Sequence, residues 1–201
     1  VVMKSYLKLL LLLLLPGLSM AAPSNVKKPV DNVHAEMPSI EKRIRQAAVR
    51  VTVPFSGGHG SGSYVLYKDI HLVITAQHVT AGALGMNYLV SYKEESHIAT
   101  LIYSDPINDI ALLYVGTPFH HIKPMKFSPL KEVADVGTQV VYSGYPSTHK
   151  LMSFAGRVAG YENGPGIGKH IILHTYGWFG CSGSVIYTSK GQQVGVLYGV
   201  D

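Results

Sequence analysis

A serine, a histidine and an aspartate in this sequence each sit where a reactive side chain would be held. Ser182 lies in Gly180-Cys181-Ser182-Gly183-Ser184, His78 in Thr75-Ala76-Gln77-His78-Val79, and Asp109 in Asn108-Asp109-Ile110-Ala111-Leu112-Leu113. A serine hydroxyl is a poor nucleophile at neutral pH and needs a base to take its proton as it attacks a carbonyl. An imidazole titrates near ~6.5, so His78 can both accept and return that proton. The carboxylate of Asp109 would hold the His78 tautomer and stabilise the imidazolium that forms. The glycines have a separate task. Gly180 and Gly183 permit a tight, partly left-handed turn with no side chain over the backbone. Such a turn can aim the N–H groups of Gly180 and Ser182 at a developing oxyanion, and one such donor is worth about 2.7–4 kcal/mol to the transition state.

The elements that must position these groups read as short strands. Turn residues separate β-type runs at 49–55, 63–67, 71–76, 87–92, 97–103 and 110–115. A proline-bearing connection, 116–134, follows, and then a second set at 139–143, 152–161, 171–175, 184–187 and 194–198. Two groups of short strands with few helices predict an all-β fold of two antiparallel six-stranded barrels, about 49–115 and about 135–201. The second barrel is expected to be truncated, because only about five strands can be read there. His78 would then leave the end of one strand and Asp109 would begin another in the first barrel. Ser182 would come from the second, and the three would meet in the cleft between them.

Composition limits the alternatives. The chain has 201 residues, 47% hydrophobic and 14% charged, with 21 Gly and 11 Pro, which suits a core-bearing fold with many turns. The net charge of +5 lies partly near the N-terminus (Lys4, Lys8, Lys27, Lys28), and the body has no basic stripe interleaved with aromatics. Nucleic-acid binding is therefore not expected. Lys4 and Lys8 precede the leucine run 9–15, and Ser19-Met20-Ala21 offers a small-residue cleavage site, with the cut expected after Ala21 or Ala22. Residues 1–22 are thus expected to be a signal peptide, or else a membrane anchor through 9–22. Export would place the protein outside the cell or in a periplasm. Residues 23–48 read as a linker or pro-segment in which Ser39 caps a short helix through Ala48. The opening Val1-Val2-Met3 and the short second barrel suggest a fragment of a longer frame. A single cysteine, Cys181, excludes an internal disulfide.

Several residues compete for attention. Cys181 would serve as nucleophile only if the glycine pattern moved by one, putting Phe179 where glycine is needed. Asp105, in Ser104-Asp105-Pro106, reads as a turn residue and not as the acid. His170 and His174 have a helical metal-pair spacing but an apolar strand-like neighbourhood, in which they would stand about 13 Å apart. His120-His121 lies in the connection between the barrels with no second ligand pair. No metal and no cofactor is expected. Gly57-Gly58-His59-Gly60-Ser61-Gly62 lacks the Gly-Lys-Ser/Thr of a phosphate loop and leads into a strand, so it reads as a hairpin or loop.

The three blocks around His78, Asp109 and Ser182 resemble the active-site blocks of trypsin-like (chymotrypsin-fold) serine proteases, which keep the same order of histidine, aspartate and serine. Val136-Gly137-Thr138-Gln139-Val140 with Ser143-Gly144-Tyr145-Pro146 resembles the segment opening the second barrel in HtrA-like and viral members, which lack disulfides. The similarity spans roughly 49–200. It implies a serine endopeptidase that uses His78, Asp109 and Ser182, an oxyanion hole from Gly180 and Ser182, and a peptide or protein substrate. It also implies substrate contacts from Tyr176, six residues before the nucleophile, and from Leu197, Tyr198 and Gly199 on a backbone-pairing wall. Tyr176 stands where a trypsin-like preference for Lys or Arg would need another residue, so an apolar or mid-sized side chain is expected before the scissile bond. Cys181 replaces the Asp that pairs with a new N-terminus in trypsin-type zymogens, so activation by that salt bridge is not expected. Two other readings stay open: a viral segment that processes its own polyprotein, and an inactive relative that only binds peptides.

Overall fold

In the computed structural model, residues 33–163 and 169–199 are described, so the leader and most of the stretch before Ser39 lie outside the described residues. Helix α1 spans Ser39–Ala47, and twelve strands follow: β1 Ala48–Thr52, β2 His59–Tyr67, β3 Ile70–Thr75, β4 Asn87–Tyr92, β5 Glu95–Asp105, β6 Ile110–Val115, β7 Met125–Lys126, β8 Gln139–Gly144, β9 Met152–Asn163, β10 Lys169–His174, β11 Val185–Thr188 and β12 Gln193–Val196. The all-β expectation is borne out. The first sheet runs β1-β4-β5-β6-β3-β2-β7, and β1 pairs again with β2, so six strands close into a barrel. The second sheet runs β10-β9-β8-β11-β12 and curls into a half-barrel of five strands.

The pattern of side chains explains the closure. Along β4 buried and outward residues alternate, with Tyr88, Val90 and Tyr92 turned inward. Val49, Val51, Tyr64, Val73, Leu101 and Leu113 meet them in the barrel interior. A register shift between Leu101 and Tyr103 in β5 bends that strand where the barrel must turn a corner. The second sheet buries Val140, Tyr142, Val158, Cys181 and Ile186 in a core of its own. Strand β7 was not foreseen. It is two residues long and pairs in parallel with β2 through Val65↔Met125 and Leu66↔Lys126.

Residues 39–47, expected to belong to a linker, are built into the fold. Ile44 and Ala47 of α1 are buried with Val65, Leu72, Met125, Val141, Val185 and Tyr187, residues drawn from both sheets. Arg45 donates to Ser153 Oγ at 3.0 Å and to the Leu151 carbonyl at 3.1 Å, tying the helix to the second sheet. Ser39 is the first helical residue and not the cap. Pro38 occupies the cap position, and its carbonyl accepts the Lys42 N–H at 3.1 Å. A proline there has no N–H to leave unsatisfied, and its φ is already set.

Candidate active site

Strand β3 ends at Thr75, and the chain turns into a short 3₁₀ segment, Gln77–Thr80, that carries His78. Asp109 sits one residue before β6, with a left-handed φ of +52° that an aspartate tolerates better than most residues. This backbone lets one residue grip the histidine turn at three points. The Asp109 carbonyl accepts the Gln77 N–H at 3.1 Å, Oδ1 accepts the His78 N–H at 2.8 Å, and Oδ2 lies 2.7 Å from His78 Nδ1. A carboxylate can only accept, so Nδ1 carries the proton and Nε2 is the free acceptor. The Asp109 side chain is 14% exposed and that of His78 is 47% exposed, so the acid is shielded while the base faces outward.

Ser182 lies between Gly180 (φ +90°) and Gly183 (φ +91°), in a turn whose carbonyls are nearly all held from behind. Ser147 N–H donates to the Phe179 carbonyl at 2.6 Å, Ser61 Oγ to that of Gly180 at 2.7 Å, Ser184 N–H to that of Cys181 at 2.9 Å, and Ser61 N–H to that of Ser182 at 2.7 Å. In a trans peptide the C=O and the following N–H point in opposite directions. Holding the Phe179 and Cys181 carbonyls therefore turns the Gly180 and Ser182 N–H groups the other way. Among the described residues, neither of those N–H groups donates to a backbone carbonyl. The Ser182 hydroxyl donates to the Tyr198 carbonyl at 3.3 Å, a long and weak bond.

Ser61 is the residue that the sequence did not disclose. It is fully buried, accepts the Tyr145 N–H on its hydroxyl at 2.9 Å, and donates its own O–H to the Gly180 carbonyl. His59, two residues earlier, braces the same spot. Arg50 donates to its Nδ1 at 3.1 Å, so its Nε2–H donates to the Tyr145 carbonyl at 3.0 Å. Both lie in the Gly57–Gly62 stretch, where only a glycine-rich loop was legible; from His59 onward it is strand β2. Glycine is required at two of these contacts. A Cβ on Gly60 would come within 2.8 Å of both the Val79 side chain and the Ser182 carbonyl, which shows how closely the histidine and serine segments abut. A Cβ on Gly183 would lie 2.0 Å from the Ser61 carbonyl and 2.3 Å from Thr75 Oγ1. Gly183→Ala is expected to lower stability by about 2–5 kcal/mol through left-handed strain and overpacking, read as a shift in denaturation midpoint.

The rival residues fall into other roles. Asp105 accepts the Ile107 and Asn108 N–H groups on Oδ1 and the Asn108 amide on Oδ2, and it builds the turn that delivers Asp109. Cys181 is fully buried, and burial pushes its thiol pKa up, against smaller opposing effects from the Trp178 backbone and the Tyr142 hydroxyl. A shielded thiol of raised pKa is a poor nucleophile. His170 and His174 are on strand β10; His170 Nδ1 pairs with the Tyr198 hydroxyl at 2.8 Å.

The positions expected to contact substrate come together. Tyr176, Leu197, Tyr198 and Gly199 line one cleft with Asn108 and Asp109. Tyr176 is fixed there: its ring stacks on Phe154 at 4.9 Å, and its carbonyl accepts the Tyr142 hydroxyl. The wall itself differs from the expected strand. β12 ends at Val196, and beyond it Leu197 exchanges hydrogen bonds with Gly183 and Ser184 in the turn that carries Ser182.

No curated protein matches the chain. Among solved structures it resembles Rv3671c from M. tuberculosis H37Rv in the inactive form of a serine-to-alanine mutant, at 23% identity over 86% of this chain and 85% of that one, with a TM-score of 0.66. It resembles the active form of the same protease at 22% identity, over 88% and 84%, with a TM-score of 0.65. Deg5 follows at 21% identity, over 80% and 83%, with a TM-score of 0.64. Likeness at such identities establishes the fold. The family rests on sequence: the model of the trypsin-like peptidase domain matches residues 60–196, most of the chain, and the protein belongs to that family of peptidases.

Proposed function

We propose that this peptidase is a serine endopeptidase working through Ser182, His78 and Asp109 by way of an acyl-enzyme. The observation that carries this reading is the grip of Asp109 on His78, which leaves Nε2 as an acceptor in a segment that abuts the braced glycine turn of Ser182. In the reaction, Ser182 leaves its weak bond to the Tyr198 carbonyl, and its Oγ attacks the peptide carbonyl while His78 Nε2 takes the proton. The N–H groups of Gly180 and Ser182 receive the oxyanion. Collapse of the tetrahedral species expels the amine, which takes the proton from His78. Water, deprotonated by the same nitrogen, then attacks the ester and frees the acid and Ser182. The cleft beside Tyr176 and Tyr198 would take an apolar or mid-sized side chain of a peptide or protein. The basic, leucine-rich start supports export, with either cleavage of the leader or its retention as an anchor.

A fluorophosphonate probe tests the assembled site, since it phosphonylates only a serine that is both activated and placed at an oxyanion hole. Stoichiometric labelling of the folded protein, kept in Cys181→Ala and lost in His78→Ala, is the expected result. A folded wild-type protein that takes up no label would instead be a peptide-binding relative without turnover.

A further inference from the structure

A second cluster of functional side chains lies away from this site. Glu95 opens β5 and Asp105 closes it, so about 30 Å of strand separates Glu95 from the turn that carries Asp109. Glu95 and His97, two apart on β5, project from one face. The loop after β6 brings His120 to them, anchored by the buried Phe119, whose ring meets that of His97 edge-on at 4.6 Å. Glu95 Oε1 lies 2.8 Å from His97 Nε2 and 2.9 Å from His120 Nδ1, and the three residues offer one ligand atom each within 4.8 Å of the others.

We propose that Glu95, His97 and His120 form a binding site for a divalent cation of the zinc type, with water as the fourth ligand. Two imidazole nitrogens and one carboxylate oxygen suit zinc or cobalt, whereas calcium and magnesium take oxygen ligands almost throughout. A tetrahedral ion with bonds of about 2.0–2.1 Å places its ligands about 3.3 Å apart, so each carboxylate-to-imidazole contact would open by a few tenths of an ångström and the exposed His120 ring would swing to set the distance between the two nitrogens. Each neutral ring shifts its one proton to the outer nitrogen, and the cation takes the bare nitrogen that faces Glu95.

The surroundings supply the orientation such a site needs. Glu95 Oε1 also accepts the His120 backbone N–H at 2.8 Å, and Oε2 accepts that of His121 at 3.2 Å. Those two bonds survive when the ion displaces the side-chain protons, and they hold the carboxylate in place. Glu95 and His97 are each 13% exposed, while His120 is 72% exposed, so the ion has a shielded floor and an open approach for water. Bound there, it would staple the loop after β6 to the β4–β5 hairpin.

The test is titration of the chelator-treated full chain with cobalt(II) alone, followed by its visible absorption, and then displacement by zinc. One equivalent with the strong bands of four-coordinate cobalt is expected, unchanged in His78→Ala. His120→Ala should weaken binding at least tenfold. His120→Asp, which returns a ligand, should recover part of that loss. Zinc should raise the melting temperature of the wild type and leave that of His120→Ala where it was. No saturable uptake, or equal uptake by the wild type and His120→Ala, would overturn the site. The exposure of His120 keeps that variant folded, so either result is decisive.

Discussion

Ser182→Ala should lower kcat for peptide hydrolysis by about 10⁶-fold, because loss of the nucleophile removes the contribution of the base and the acid with it. The fold should be almost untouched. The hydroxyl makes one long bond, to the Tyr198 carbonyl, and the Ser182 backbone keeps its partner on Ser61. Removing one weak hydrogen bond at a half-exposed position changes stability by about 1 kcal/mol or less. Turnover of a fluorogenic peptide and a thermal melt, run on the same preparation, separate the two effects. Activity within tenfold of wild type, with an unchanged melt, would remove Ser182 from the chemistry. A melt lowered by many degrees would show that the serine supports the turn as well as the reaction.

What could be read from the sequence was local in character. His78 follows the apolar run 72–76 and Asp109 precedes the apolar run 110–113, so strand ends alone predict where both side chains emerge. Gly180 and Gly183 announce left-handed backbone whatever surrounds them, and both adopt it. The β-type runs between turn residues, such as 87–92 and 110–115, marked the barrel's strands. The missed features depend on contacts between distant segments. Ser61 is an ordinary serine until the fold sets it between Tyr145 and Gly180, which are remote from it in the chain. His120 acquires Glu95 and His97 only when the loop after β6 closes over the β4–β5 hairpin. Residues 39–47 are polar enough to read as linker, yet Ile44 and Ala47 cover a seam between the sheets that no local pattern reveals. The Ser182 hydroxyl is a rotamer choice, and its bond to Tyr198 has no sequence signature.

Asp109→Asn should lower kcat by about 10⁴-fold with little change in KM. The reason is a conflict over one proton. Asp109 satisfies two donors on His78, the backbone N–H through Oδ1 and the ring through Oδ2. An asparagine has a single acceptor oxygen, and the backbone N–H cannot move its hydrogen elsewhere. The amide therefore keeps its oxygen on the backbone and turns its NH₂ toward the ring. Facing a donor, the imidazole gives up the proton on Nδ1 and carries it on Nε2, the nitrogen that must accept from Ser182. The base is then present, correctly placed and in the wrong tautomer. Asparagine suits this test because it also tolerates a φ near +52°, as aspartate does, whereas alanine there would add backbone strain and lose the grip on the histidine turn. Steady-state kinetics at neutral pH, with fluorophosphonate labelling slowed in parallel, is the measurement. A kcat within tenfold of wild type would mean that the His78 tautomer is set by something other than this carboxylate.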